Sequence, residues 1–236
     1  MTRKTNNWLF LLVITGVLLV LVSNCKKDND DDNNHSTGTV TDIDGNIYHT
    51  VRIGTQVWMV ENLKTTRYRN GDSISLVTDE AQWANITTGA YCNYDGDANI
   101  ANTYGRMYNW YAVFDSRNIA PVGSHVPSAV EWKTLVDYFG GVYVAASWLK
   151  ESGTTHWQSP NTGATGESGF LALPGGYRGD DGVFYQLGND GYWWTSIEHS
   201  TTEAWARSMY YCYETVYYTS CSKSFGFSVR CIKDNE

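Results

Sequence analysis

Five cysteines carry the most reactive side chains in this sequence, and their positions divide them into one and four. Cys25 stands alone at the end of an apolar run, whereas Cys92, Cys212, Cys221 and Cys231 lie in the body of the chain. No C-x-x-C occurs, so a thioredoxin-like pair and a zinc cluster both lack their usual spacing. Four cysteines allow three disulfide pairings, and sequence does not choose among them. Cys212 and Cys221 flank a segment, 213–220, that can fold back as a hairpin. The expected pairs are therefore Cys212–Cys221 and Cys92–Cys231.

Carboxylates offer two further chemistries. Asp95-Gly96-Asp97-Ala98-Asn99 alternates oxygen donors like the start of a calcium loop, but the matching glycine and distant bidentate glutamate are missing. Asn189-Asp190 sits in a Gly-Asn-Asp-Gly stretch that reads as a turn. No metal and no cofactor are expected. Glu167, Asp180, Asp181 and Glu203 are candidates for a glycosidase pair, yet nothing in the sequence sets two of them at the required separation. His49, His125, His156 and His199 are scattered. Gly-x-Ser-x-Gly, Walker and His-Glu-x-x-His motifs are absent, so the chain is not expected to be an enzyme.

Recognition by aromatic rings is the remaining chemistry. Ten Trp and seventeen Tyr give 14% aromatics, and both residues offer large contact area with few rotatable bonds. The glycine-rich stretch 152–191 holds Trp157, Tyr177, Arg178, Tyr185 and Gln186, and Trp193 follows it. Trp157, Tyr177, Arg178, Tyr185 and Trp193 are the candidate ligand-binding residues, for a glycan or a surface protein. For Trp157 and Tyr177 the alternative, rings that pin a long loop to the core, stays open. Trp58, Trp110, Trp132, Trp194 and Trp205 are expected in the core.

The elements that must position these groups are short. Residues 39–43, 48–53 and 56–60 read as strands, with Asp44-Gly45-Asn46 as a turn. Met107, Trp110, Tyr111 and Phe114 fall at helical spacing. Ser128 and Glu131 form a capping box opening a helix whose apolar face is Trp132, Leu135, Val136 and Phe139 and which Gly140-Gly141 stops. A third helical piece covers 143–150. Strands at 192–197, 204–211 and 225–232 close the chain, the last with Phe225, Phe227, Val229 and Cys231 on one side.

The first residues are an address. Arg3 and Lys4 precede an uncharged apolar run at 8–22, too short for a membrane span and suited to a signal peptide. Cys25 after that run resembles the lipobox of a bacterial lipoprotein, which implies cleavage before it, lipid on its thiol and a membrane partner. Residues 26–34 are polar or charged without an apolar side chain and read as a disordered tether. They also resemble the acidic signal of surface-exposed outer-membrane lipoproteins. The expected organisation is a signal peptide at 1–24, a tether at 25–38 and one domain at 39–236. Removing residues 1–24 moves the formal charge from -8 to -10, which argues against nucleic acid.

Several phrases, taken in order, carry a family resemblance. They are Val57-Trp58-Met59-Val60-Glu61-Asn62-Leu63, then Tyr104-Gly105-Arg106-Met107-Tyr108-Asn109-Trp110, then His125-Val126-Pro127-Ser128. Pro174-Gly175-Gly176-Tyr177-Arg178, Tyr192-Trp193-Trp194-Thr195-Ser196 and Gly226-Phe227-Ser228-Val229-Arg230-Cys231 follow. This order resembles the Fibrobacter succinogenes major paralogous domain over residues 39–234. The resemblance implies an α+β, C-type-lectin-like fold of short antiparallel sheets, two or three helices and long loops, distantly shared with formylglycine-generating enzymes. It brings no catalytic residues. The expectation is a non-catalytic binding or adhesion module on the cell surface, with an envelope assembly protein as the alternative.

Overall fold

A turn at Asp44-Gly45-Asn46 starts the first sheet, with Gly45 at positive φ where a side chain would be strained. It joins β1 (Ser36–Thr41) to β2 (Ile47–Ile53), and β3 (Gln56–Met59) follows. The computed structural model describes Met1 and residues 36–234. The signal segment, Cys25 and the tether up to residue 35 lie outside the described residues. The described residues 36–234 fall in one compact unit. No described helix is long and apolar enough to cross a membrane.

The middle of the chain is more structured than its polar composition suggests. β4 (Ser75–Leu76), α1 (Glu80–Asn85), β5 (Ala90–Cys92), α2 (Ala98–Tyr104), β6 (Met107–Tyr108) and α3 (Trp110–Val113) all fall within it. The expected continuous helical stripe at 104–114 is broken. Gly105 at φ 80° ends α2, and a Cβ there would lie 2.5 Å from the Asn62 Cβ. Tyr108 then exchanges backbone hydrogen bonds with Phe227, and Asn109 caps the single turn of α3. Asp97 caps α2 by accepting from the Asn99 amide.

β7 (Ser124–His125) precedes α4 (Ala129–Tyr138), which carries the expected capping box: Ser128 accepts from the Glu131 amide and Glu131 accepts from the Ser128 amide. Gly140 and Gly141, both at positive φ, stop it, and α5 (Ala145–Leu149) follows. The loop region contains a small hairpin, β8 (Tyr177–Arg178) with β9 (Phe184–Tyr185). β10 (Asp190–Glu198), β11 (Glu203–Tyr210) and β12 (Tyr217–Ser222) form an antiparallel meander. β13 (Ile232–Lys233) closes the first sheet, whose order is β1-β2-β3-β13-β7, so both ends of the domain lie in one sheet.

The structure is thus mixed, rich in short curled antiparallel sheets and poor in helix. The expected strand at 225–232 is an extended bridge between sheets rather than a ladder, touching Tyr108, Arg178 and Trp193 through isolated pairs. Both of its sides are buried, because Ser228 and Arg230 are enclosed as fully as Phe227 and Val229.

Two main core clusters lie on opposite faces of the β10–β11–β12 meander. Trp193 and Met209 point into the cluster with Trp132, Leu135, Val136 and Leu149 of α4 and α5. Trp194, Ala204 and Ala206 point into the other, with Tyr108, Phe227 and Val229. Strand alternation makes this division. Trp58, Trp110, Trp132 and Trp194 are buried as expected, whereas Trp205 is half-buried against the His199 ring.

Candidate functional site

Three of the five candidate ligand-binding residues are part of the fold. Trp157 is 1% exposed and its indole N–H donates to the Ala172 carbonyl at 2.9 Å. Arg178 is fully buried and donates to the carbonyls of Gly182, Val77 and Thr78 while lying over the Trp83 and Phe184 rings. Trp193 is fully buried and donates to Asn62 Oδ1 at 2.9 Å. The loop 152–191 is held by these interior anchors, because a buried cation is tolerated where several carbonyls and a ring face replace its water.

Asn62 is the centre of this interior. Its Oδ1 accepts from Trp193 Nε1 and from Nε and Nη2 of Arg230, and its amide donates to the Tyr104 carbonyl and to Ser228 Oγ. Arg230 also donates to the Phe170 carbonyl, and burial pushes its pKa down to about 9. Lys150 repeats the pattern: its ammonium donates to the carbonyls of Thr162, Tyr210 and Tyr213, and burial lowers it to about 8. The phrases Glu61-Asn62-Leu63, Tyr192-Trp193-Trp194 and Ser228-Val229-Arg230 therefore each contribute a residue to the Asn62 network, and Tyr177-Arg178 contributes a separate buried guanidinium.

The expected disulfides are not formed; Cys92, Cys212, Cys221 and Cys231 are free thiols. Register explains the first pair. Cys221 lies opposite Ala204, near the start of β11, whereas Cys212 follows the end of that strand. Cys92 and Cys231 belong to different core clusters. Burial raises the Cys92 and Cys221 thiols to about 12.

Tyr177 and Tyr185, the other two candidates, are half-buried and stacked at 5.3 Å on the second face of the meander. The β10–β11 and β11–β12 registers place Asp190 opposite Tyr210, Tyr192 opposite Ser208, and Ser208 opposite Tyr217. These side chains therefore share one face with Tyr177 and Tyr185 beside them. Tyr192 meets Tyr177 edge-on at 5.0 Å, and Tyr210 meets Tyr217 at 5.0 Å. The Tyr192 and Tyr210 hydroxyls are 3.3 Å apart, and Ser208 Oγ reaches the latter at 3.3 Å. Tyr213, 53% exposed, extends the row outward. Burial raises the Tyr177 and Tyr192 phenols, so both are neutral donors at physiological pH.

Asp190 is the exceptional group on this face. It is 9% exposed, and its carboxylate accepts no hydrogen bond from any described residue. Burial alone raises its pKa to about 6. The residue is nearly enclosed, yet its carboxylate oxygens are not sealed from solvent, so they are free to meet a donor from outside. Sequence reading placed Asp190 in a turn. The usable signal was the period of two linking it to Tyr192, which counts only once the strand is known to start at Asp190.

Two other places gather polar side chains. His125 bridges Asp234 through Nδ1 (2.6 Å) and Glu131 through Nε2 (2.7 Å). Glu131 chiefly holds the imidazole up at about 9, and His125 chiefly holds Glu131 down to about 2. With both ring nitrogens engaged, this is a clasp between α4 and the C-terminal strand. A cleft of about 130 Å³ lies between Asp42, Ile43, Arg69 and residues 119–122. Its polar groups are committed internally: Asp42 accepts from Tyr48 and Asn46, and Arg69 donates to the carbonyls of Ala120, Pro121 and Ser124. Among the described residues no three His, Cys, Asp or Glu side chains gather as a metal site.

In comparisons with known proteins, the family model of the Fibrobacter succinogenes major domain matches residues 51–233. No curated protein and no solved structure matches.

Proposed function

The chain belongs to the family of the Fibrobacter succinogenes major domain, and on that premise we propose that it is a lipid-anchored surface protein whose tyrosine face and Asp190 bind a carbohydrate. One observation carries this reading: a nearly buried carboxylate without a hydrogen-bond donor opens onto a face of half-buried tyrosines. Sugar hydroxyls are donors that suit the Asp190 carboxylate, and sugar C–H faces pack on aromatic rings. Tyr177, Tyr185, Tyr192, Tyr210 and Tyr217 supply those rings, and the Tyr192–Tyr210 hydroxyl pair supplies further polar contacts.

The module is non-catalytic in this reading; Asp181, the other carboxylate near Tyr177, is committed to the Tyr185 hydroxyl and the Val183 amide. The anchor is the lipid expected on Cys25, and the location is the outer membrane facing outward. The proposed fold is C-type-lectin-like. Support comes from the chain ends meeting in one sheet, the two helices α4 and α5, and the long loop region before the last strands.

A glycan array probed with the mature chain and with Asp190→Asn, each with calcium and with chelator, tests this. Binding by the parent chain alone, unaffected by chelator, is expected. Equal binding by Asp190→Asn would remove Asp190 from the site. A blank array for the parent chain would overturn the carbohydrate reading in favour of a protein ligand.

A further inference from the structure

Across the meander from the tyrosine face, α4 and α5 present a second set of exposed rings. Tyr138 is 62% exposed and Tyr143 79% exposed. Trp148 stacks on Phe139 at 5.8 Å with planes 14° apart, and Tyr138 packs edge-on against the same Phe139. Val144 is exposed between them in sequence. The Trp148 indole N–H donates to no described residue. The inner sides of the same helices, Trp132, Leu135, Val136, Ala145, Ala146 and Leu149, are fully buried. Both helices therefore carry apolar side chains on two sides, and only one of these sides is accounted for by the core.

The place where the tether leaves the domain says what lies against the other side. Ser36 pairs with Val51 at the end of β2 that leads into the Gly54 turn. That turn abuts Tyr138: a Cβ on Gly54 would stand 3.0 Å from the Tyr138 ring. From Val51 to Gly54 is about 10 Å of strand. Eleven residue steps separate Cys25 from Ser36. A chain of that length spans at most about 38 Å. A lipid on Cys25 would therefore keep this end of the domain within about 38 Å of the bilayer.

We propose that the patch formed by Tyr138, Phe139, Tyr143, Val144 and Trp148 rests on the lipid surface to which the chain is anchored, so that the tyrosine face across the meander points outward. The proposal rests on the lipid-anchor reading of Cys25. Tyr and Trp suit this role, because their rings enter the interface while their polar tips stay at headgroup level. A short tether supplies the high local concentration that lets a small patch stay docked.

The test uses the lipidated mature chain reconstituted in phosphatidylcholine vesicles whose acyl chains carry bromine, which quenches nearby tryptophan. The tether holds no tryptophan, and Trp8 leaves with the signal segment, so quenching reports the domain alone. Part of the emission is expected to be quenched, and Trp148→Phe, which keeps the stack on Phe139, is expected to remove most of that quenching. Tyr143→Ser, at a fully solvated position, is expected to weaken it without lowering the melting temperature. If the chain floats with the vesicles and is not quenched, the patch does not touch lipid and the proposal falls while the anchor stands. Should such unquenched protein sediment as a dimer in detergent, and as a monomer after Tyr143→Ser, the patch is a contact between copies. Failure to float, with no lipid on Cys25, would overturn the anchor and this proposal together.

Discussion

On one face of the β10–β11–β12 meander, Trp193, Thr195, Arg207 and Met209 are fully buried. On the other, Tyr192, Tyr210 and Tyr217 keep part of their rings in solvent beside a carboxylate without a donor. Both faces are aromatic, and both contain an ionisable group. They differ in how that group is satisfied. Arg207 donates to the carbonyls of Ala206 and Ala129 and lies 3.7 Å from the Tyr218 ring. Asp190 has no such partner. The Arg207 guanidinium is held by carbonyls and a ring, with its Nε sealed in without a partner, whereas the Asp190 carboxylate has no protein partner and stays open to solvent. That difference locates a ligand better than aromatic content does.

The largest expected effect breaks the satisfied side. Asn62→Leu removes the acceptor of Trp193 Nε1 and two donors of Arg230, leaving a buried guanidinium short of partners. A loss of about 3–5 kcal/mol is expected, seen as a melting temperature lower by roughly 10 °C or as failure to fold. A melt within a degree or two of the parent would mean that the network is not cooperative.

Asp190→Asn sharpens the comparison from the other side, because it should stabilise. The folded pKa of Asp190, about 6, lies above the ordinary carboxylate value. Its favourable contribution is therefore complete below that ordinary value, near pH 4, and is lost as pH rises through about 6. At pH 8 the substitution is expected to raise stability by about 1–3 kcal/mol, and at pH 4 the advantage should vanish. Denaturant melts at the two pH values read this directly, and a pH-independent difference would mean that Asp190 is paired in solution.

His125 gives a smaller effect of known sign. Its raised pKa, about 9, means that its stabilisation is full below about pH 6.5 and is lost as pH rises through 9. Glu131, lowered to about 2, contributes above its ordinary value and loses that contribution only as pH falls through 2. After screening at this partly exposed site, about 1 kcal/mol is expected. His125→Gln should flatten the stability profile between pH 7 and 9.5; an unchanged slope would place the titrating group elsewhere. The smallest expected effect is none. Four free thiols predict that reductant leaves the melt unchanged, whereas loss of a disulfide would cost about 2–4 kcal/mol.

What the sequence made legible was local. The Ser128–Glu131 box, the Gly140-Gly141 stop and the Asp44-Gly45-Asn46 turn depend on neighbours and appear as read. The roles of Arg178 and Arg230 were hidden, because their carbonyl partners lie far away in sequence: Val77 and Thr78 for one, Phe170 for the other. The alternation at 225–232 separated Phe225, Phe227, Val229 and Cys231 from Gly226, Ser228 and Arg230 without saying what that other side meets. In the structure that side faces Asn62, through Ser228 and Arg230. Of the ligand-binding candidates, Tyr177 and Tyr185 lie at the proposed site, and Asp190 was recognisable only once β10 and β11 were in register.

The most direct test of the central claim is calorimetric titration of the mature chain with the strongest glycan from the array, at pH 7.5 and pH 5. An ionised Asp190 accepting sugar hydroxyls predicts binding at pH 7.5 that falls at least several-fold at pH 5, and binding by Asp190→Asn that is weak at both. Equal affinity at the two pH values, or an Asp190→Asn chain that binds like the parent, would contradict the claim that the unpartnered carboxylate marks the site.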